Sequence, residues 1–240
     1  MDQLPIKKIK INDVFTIITH HIPTAQSCTF GFWCDGGASK ETEKNNGIAH
    51  ALEHMLFKGT NKRTNKELMR KLDQLGAYSN AYTSDESVAY YLSVAPTDLV
   101  VDKKNNLLYA AELLFEMLLE SIFPSDELTK EKDVIIQELR MYQDDLESRC
   151  GVNLKSIAYA PGTYLHREII GTEELIKSFT SEDLKNYMKE NYNNIYFVVV
   201  GKFDDQLIDY AKSMGPAMAS FFQSKPALLC ILMETMNSKM

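Results

Sequence analysis

His50-Ala51-Leu52-Glu53-His54 sets two imidazoles four residues apart with a carboxylate beside the second. On a helix, residues at i and i+4 lie on one face about 5–6 Å apart at Cβ, a separation at which two imidazoles can grip one ion. Glu53 falls three residues after His50, where it can reach a water at the open position of that ion without ligating it. This order, H-x-x-E-H, is the reverse of the more common zinc-protease motif and is assigned to the inverted zincins. With 5 histidines and 33 acidic residues in 240, the number of such patterns expected by chance is about 0.01.

A catalytic zinc site needs three protein ligands and one open position, so a third group must come from elsewhere. The run Glu131-Lys132-Asp133-Val134-Ile135-Ile136-Gln137-Glu138 offers two carboxylates seven residues apart. Two helical turns bring them onto one face with Ile135 and Tyr142. Carboxylates in line with apolar side chains are costly to bury unless a cation lies opposite; otherwise they belong to a solvated face. The other histidines carry less: His20-His21 reads as a surface pair at a strand edge, and His166 stands alone in a loop.

The elements that must hold these residues follow from periodicity and punctuation. The β-branched run Asp13 to Ile22 and the aromatic run Cys28 to Cys34 predict two opening strands, the second closed by Gly36-Gly37. Asn45-Asn46-Gly47 ahead of a periodic run through Phe57, with Gly59 beyond, frames a helix carrying the histidine motif. Thr64-Asn65-Lys66-Glu67 forms a capping box for a second helix stopped by Gly76. Ala77 to Thr83 and Glu86 to Val94 predict an antiparallel pair around Ser84-Asp85, with Val88, Tyr90, Leu92 and Val94 on one face. Asp98 to Glu120 predicts a long amphipathic helix, and Ser125 is read as the cap of the helix carrying Glu131 and Glu138. Asp183 to Tyr192 reads as helix, and Ile195 to Val200 as a strand ended by Gly201. Strands grouped in hairpins beside helices predict an α+β fold, an antiparallel sheet packed by helices on one face.

Composition narrows the function further. Lysines and arginines number 26, giving a net charge of -7, and no basic stripe interleaves with aromatics, which argues against nucleic acid as a partner. The four cysteines are scattered without a C-x-x-C pair, so they read as reduced thiols in a cytoplasmic protein. No secretory-type apolar core is visible near Met1 to Asn12. The apolar stretch Ala227 to Met233 is far shorter than the roughly 20 residues that span a bilayer, so no membrane anchor is expected.

Over about residues 10 to 210 the chain resembles the pitrilysin or insulinase family of zinc metallopeptidases, which includes the mitochondrial processing peptidases. The resemblance rests on ordered segments: Gly36 to Glu41, Gly47 to Thr60, Gly76-Ala77 with Asn80 to Thr83, and Glu131 to Glu138. It implies that His50, His54 and Glu138 are zinc ligands, that Glu53 is the general base, and that Glu131 orients a ligand. It also implies that Asn80, Ala81 and Tyr82 belong to an edge strand on which an extended peptide or unfolded protein substrate is laid. The implied division is a metallopeptidase domain over 1–213 and a C-terminal tail over 214–240.

Three features depart from the family pattern: a longer gap between His54 and Glu138, assigned to residues around Val101 to Asn106; His166 where glycine is commoner; and a single domain where members carry two or four, or pair subunits. A homo-oligomer or a homologous partner subunit is therefore expected to complete the enzyme. The alternative is a non-catalytic subunit serving in binding or assembly.

Overall fold

A computed structural model of the chain describes residues 6–97, 100–101 and 104–222. Alternation of buried and half-buried residues builds the sheet. In β3 (Cys28–Asp35), Cys28, Phe30, Phe32 and Cys34 point inward. In β5 (Ser87–Val94), Val88, Tyr90, Leu92 and Val94 do the same. With β1 (Lys7–Lys10), β2 (Phe15–His21), β4 (Tyr78–Thr83) and β8 (Asn193–Gly201), they form one six-stranded sheet in the order β1-β2-β8-β3-β5-β4. Neighbours are antiparallel except β2 and β8, which run parallel from Phe15↔Ile195 to His21↔Gly201. The expected antiparallel sheet is thus a mixed one, because β8 returns from far along the chain through helices, as a parallel neighbour requires. The two opening strands are joined by β1, whose Lys-Lys-Ile-Lys is mostly exposed, a charged sequence typical of a protected edge.

Helices cover the inward face. α1 (Ile48–Met55) lies under β4 and β5 and against α4 (Ser125–Asp144) and α7 (Ser181–Asn191). α2 (Asn65–Gln74) starts at the Thr64–Glu67 capping box. α3 (Asn106–Glu120) packs across β3 and β5, with Phe115 edge-on to Phe15 and Phe32 at 6.1 and 4.8 Å between ring centres.

Two helix starts differ from expectation. α3 begins at Asn106, capped by Asn105 Oδ1 accepting from Leu108 N at 2.8 Å; a short hairpin of β6 (Val100–Val101) and β7 (Lys104–Asn105) precedes it. Asp98 and Leu99, counted in that helix, and Asp102 and Lys103, counted in the long gap, lie outside the described residues. In α4, Ser125 is the first helical residue rather than the cap; Pro124 holds the cap position without a side-chain bond, and Asp126 and Glu127 complement the helix dipole.

His20-His21 ends β2 beyond the β1 pairing, which stops at Lys7↔Thr19, and pairs on its other side with Val200 and Gly201 of β8; the exposed His21 packs edge-on to Phe203 at 4.9 Å. After α8 (Asp205–Ser213), the chain continues as α9 (Gly215–Phe221), and Met218 and Phe222 are buried in the same core. The rest of the 214–240 segment, with Ala227 to Met233 and Cys230, lies outside the described residues. Among those described, no helix is long and apolar enough to cross a membrane.

Candidate metal centre and substrate cleft

α1 cannot cap itself. Its N-cap is Gly47, which has no side chain and sits at φ 94°, where the backbone passes so close to the loop before α6 (Glu173–Ser178) that a Cβ would lie 2.5 Å from Ile170 O. The buried Glu41 carboxylate does the capping, accepting from Gly47 N at 3.0 Å, Ala49 N at 2.9 Å and Asn46 Nδ2 at 2.8 Å. Arg167 closes the arrangement by donating to Glu41 O at 2.8 Å. Glu41 from the Gly36–Glu41 segment therefore fixes where the helix bearing His50 begins.

One turn on, His50 and His54 stand edge-to-face with ring centres 4.7 Å apart, and α4 brings Glu138 up to both. Glu138 Oε2 lies 3.3 Å from His54 Nε2 and 3.7 Å from His50 Nε2. One donor atom from each of His50, His54 and Glu138 falls within 4.8 Å of the others, and no other such trio occurs among the described residues. Two imidazole nitrogens and one carboxylate oxygen are a donor set that suits zinc with a position left open. Of the two glutamates the sequence left open, Glu138 points at both histidines, while Glu131 Oε2 accepts from His54 Nδ1 at 3.2 Å. That bond places a proton on Nδ1 and turns Nε2 toward Glu138. Tyr142 OH donates to the other Glu138 oxygen at 3.1 Å.

The electrostatics are those of a site arranged for a cation. Burial, helped by the neighbouring His54, pushes His50 down to about 4, so its ring is neutral near pH 7. Burial would lower His54 as well, but the bonds to Glu131 and Glu138 overcome it and hold His54 up at about 9. Its bond to His54 keeps Glu138 below the ordinary carboxylate range. Glu131 is also lowered: burial acts to raise it, and His54 and Lys58 outweigh that. Glu53 is raised, chiefly by burial, and Thr83 Oγ1 donates to its Oε2 at 2.7 Å.

These groups open into a cleft of about 500 Å³ lined by His50, Glu53, Glu138 and Tyr142 on one side and by Ala81, Thr83, Lys155 and His166 around it. β4 is the terminal strand of the sheet, so its outer edge borders this cleft. The register separates the three residues expected there. Ala81 pairs with Tyr90 and Thr83 with Val88, so both half-buried side chains face the helices, and Thr83 reaches Glu53. The side chains of Asn80 and Tyr82 turn to the opposite face, where Asn80 Nδ2 donates to the hydroxyls of Tyr78 and Tyr91, and Tyr82 OH accepts from Trp33 Nε1 at 2.9 Å, while Tyr82 still lines the cleft between Ala81 and Thr83. Asn80 still reaches the edge, because its Oδ1 accepts from Ala81 N at 2.8 Å.

His166, expected alone in a loop, closes a short 3-10 turn (Tyr164–His166) and lines the cleft, with its Nδ1 3.1 Å from Tyr159 O. Lys155, which meets Asp85 at 3.3 Å, belongs to α5 (Leu146–Ala158), a helix none of whose residues is buried. Sequence reasoning missed Glu41, Lys58, Arg167 and Tyr142 as parts of the site; Tyr142 carried a signal in sharing the helical face of Glu131 and Glu138, and Glu41 and Lys58 lay within the segments that carry the family resemblance, without a role attached.

The profile of the insulinase family, peptidase family M16, matches residues 16–173. The chain belongs to the insulinase family of peptidases. An uncharacterised zinc protease of Bacillus subtilis is 34% identical over 220 residues, covering 88% of this chain and 50% of that protein. The beta subunit of human mitochondrial-processing peptidase is 36% identical over 206 residues, covering 84% of this chain and 40% of that protein. The chain thus spans about half the length, or less, of these family relatives. Among solved structures, a protease from Helicobacter pylori superposes with a TM-score of 0.79 at 21% identity, covering 94% of this chain and 53% of that one. An inactive M16 peptidase domain from Pseudomonas fluorescens gives 0.78 at 17% identity, covering 94% and 52%. At such identities these two speak to the insulinase-family fold, which is shared across the length of the chain.

Proposed function

We propose that this insulinase-family chain is a zinc-dependent endopeptidase domain in which His50, His54 and Glu138 hold the metal and Glu53 is the general base. The observation that carries the reading is the convergence of three donor atoms within 4.8 Å at the floor of a cleft that also holds Glu53. When bound there, zinc would supply Lewis acidity, polarising a scissile carbonyl and making a water acidic enough to attack it near neutral pH.

The chain's own groups do the rest. Thr83 holds Glu53 by Oε2, which leaves Oε1 to take a proton from the attacking water and pass it to the leaving amine nitrogen. Burial raises the affinity of that carboxylate for a proton, which suits a group that must accept one and release it again. Tyr142 and Glu131 hold Glu138 and His54 in orientation. The β4 edge offers main-chain pairing to an extended peptide, a mode that tolerates many side chains, with Ala81 and Thr83 as the side chains beneath it.

The substrate class proposed is a peptide or unfolded protein segment. Because the chain spans about half of its relatives, a second homologous half or subunit is proposed to close the cleft. Cys28, Cys34 and Cys150 are free thiols, which suits a cytoplasmic setting. Glu53→Gln is the decisive variant: it should abolish peptide hydrolysis and leave zinc binding within about 3-fold of wild type, since an amide cannot take the proton. Hydrolysis that survives the substitution would remove Glu53 from the reaction. A wild-type chain that binds zinc yet cleaves no peptide, even with a homologous half supplied, would favour the non-catalytic subunit.

A further inference from the structure

Glu131 is one of the few buried carboxylates among the described residues, 8% exposed, and it has two partners on opposite oxygens. Oε2 meets His54 Nδ1 at 3.2 Å, and Oε1 accepts from Lys58 Nζ at 2.5 Å. We infer that Lys58 is a positioning residue of the metal centre: through Glu131 it holds the His54 ring in the orientation that presents Nε2 to a metal. The inference rests on the zinc reading above and extends it to a residue outside the ligand set.

The placement of Lys58 is built into the turn that ends α1. Lys58 N donates to Met55 O at 3.1 Å, and Ser121 Oγ donates to Leu56 O at 3.1 Å. Beyond it, Ile122 N donates to Gly59 O at 3.3 Å and Asn61 N to Glu120 O at 3.0 Å. Thr60 Oγ1 donates to the buried Glu116 at 2.6 Å, and Arg63 pairs with the same carboxylate. The turn is thereby pinned to the junction of α3 and α4, and the Lys58 side chain is aimed along α4 at Glu131. The other nearby carboxylate on that helix, Glu127, has its own partners in Lys130 and Asn65, at 2.6 and 2.9 Å.

Charge makes the same point. Among the described residues, the cationic groups within ion-pair distance of Glu131 are His54 and Lys58. A histidine that gives Nε2 to a metal is a neutral ring donating through Nδ1, so in the metal-bound protein Lys58 is the ion-pair partner left to a buried carboxylate. Without it, Oε1 of Glu131 loses its bonded partner and the carboxylate faces the cost of burying an unpaired charge, which favours a turn toward solvent. That turn releases His54.

The test is zinc affinity of the whole chain, measured by competition with a chromophoric chelator, for Lys58→Met, Lys58→Arg, Glu131→Gln and the double variant Lys58→Met with Glu131→Gln. Losing an outer partner of a metal-bound histidine lowers metal affinity by about 10- to 100-fold, and that range is expected for Lys58→Met and for Glu131→Gln. Lys58→Arg should recover affinity to within about 3-fold of wild type, and the double variant should be no weaker than Glu131→Gln alone, because Lys58 acts through that carboxylate. Rescue and non-additivity are not expected of a residue that only stabilises the turn. Should Lys58→Met not fold, Lys58→Gln replaces it in the same comparison. Affinity unchanged on losing the amine, or losses that add in full, would overturn the inference while leaving the metal site standing. A wild-type chain with no zinc affinity would overturn the metal reading itself.

Discussion

Replacing Glu41 by alanine should destabilise the whole domain through one helix end. The carboxylate is 6% exposed and accepts from two backbone N–H groups and one amide, so the substitution leaves the buried Gly47 and Ala49 N–H groups without acceptors, while Asn46 Nδ2 keeps its bond to Glu168 O at 3.0 Å. Bonds to a charged acceptor contribute about 1.5–3 kcal/mol each, but the sum overstates the loss. Burial raises Glu41 despite these bonds and Arg167, so the folded state already bears a desolvation penalty that alanine removes. A net loss of about 3 kcal/mol follows from setting the two against each other. For a domain of this size, that lowers the melting temperature by about 6–12 °C. Urea denaturation should give a lower midpoint with an unchanged slope. Glu41→Gln, which keeps one acceptor oxygen, should lose about half as much. Because Ala49 N is bonded to Glu41 and the next residue is His50, zinc affinity should fall as well. A Glu41→Ala midpoint equivalent to less than about 0.5 kcal/mol of change would refute the argument, since such a shift is what ordinary surface substitutions give.

Three further outcomes follow. Gly47→Ala should lose about 2–4 kcal/mol by urea denaturation, because alanine at φ 94° is strained and its Cβ would meet Ile170 O at 2.5 Å. Thr83→Val should lower peptide hydrolysis about 10-fold with zinc affinity unchanged, the loss of one bond of about 1.4 kcal/mol that steadies Glu53. In a Cys230→Ser background, Cys150 should react with a thiol reagent at pH 8 in the native protein, whereas buried Cys28, pushed up to about 12, and buried Cys34 should react only on unfolding.

Local signals were the legible ones. The helix under the histidine motif, the Thr64 capping box and the β4/β5 hairpin each announce themselves in one continuous stretch of chain, and the structure has all three. α5 is hidden for a physical reason: with no buried residue and with Leu146, Leu154 and Ile157 exposed, it has no apolar stripe turned to a core. Its one clue is Asp145 capping Ser148 N at 2.7 Å. The parallel pairing of β2 with β8 joins segments some 180 positions apart, and nothing in either strand selects the other.

The candidate site divides the same way. His50, Glu53 and His54 share one helix, so their spacing suffices, and the family resemblance supplied Glu138 as the third donor. Which side chains of β4 face the metal-site helices depends on register against β5, which is why Thr83 turns toward Glu53 while the side chains of Asn80 and Tyr82 lie on the other face of the sheet. Glu41, Lys58 and Arg167 act across tertiary contacts that no sequence period records.

The most direct test of the metallopeptidase account is equilibrium zinc binding by the purified chain beside Glu138→Gln. The account predicts one zinc per chain in the wild type and an affinity lower by at least about 100-fold in the variant, which keeps the shape of the third donor but weakens it as a ligand. No zinc in the wild type, or equal affinity in the two proteins, would contradict the three-donor site.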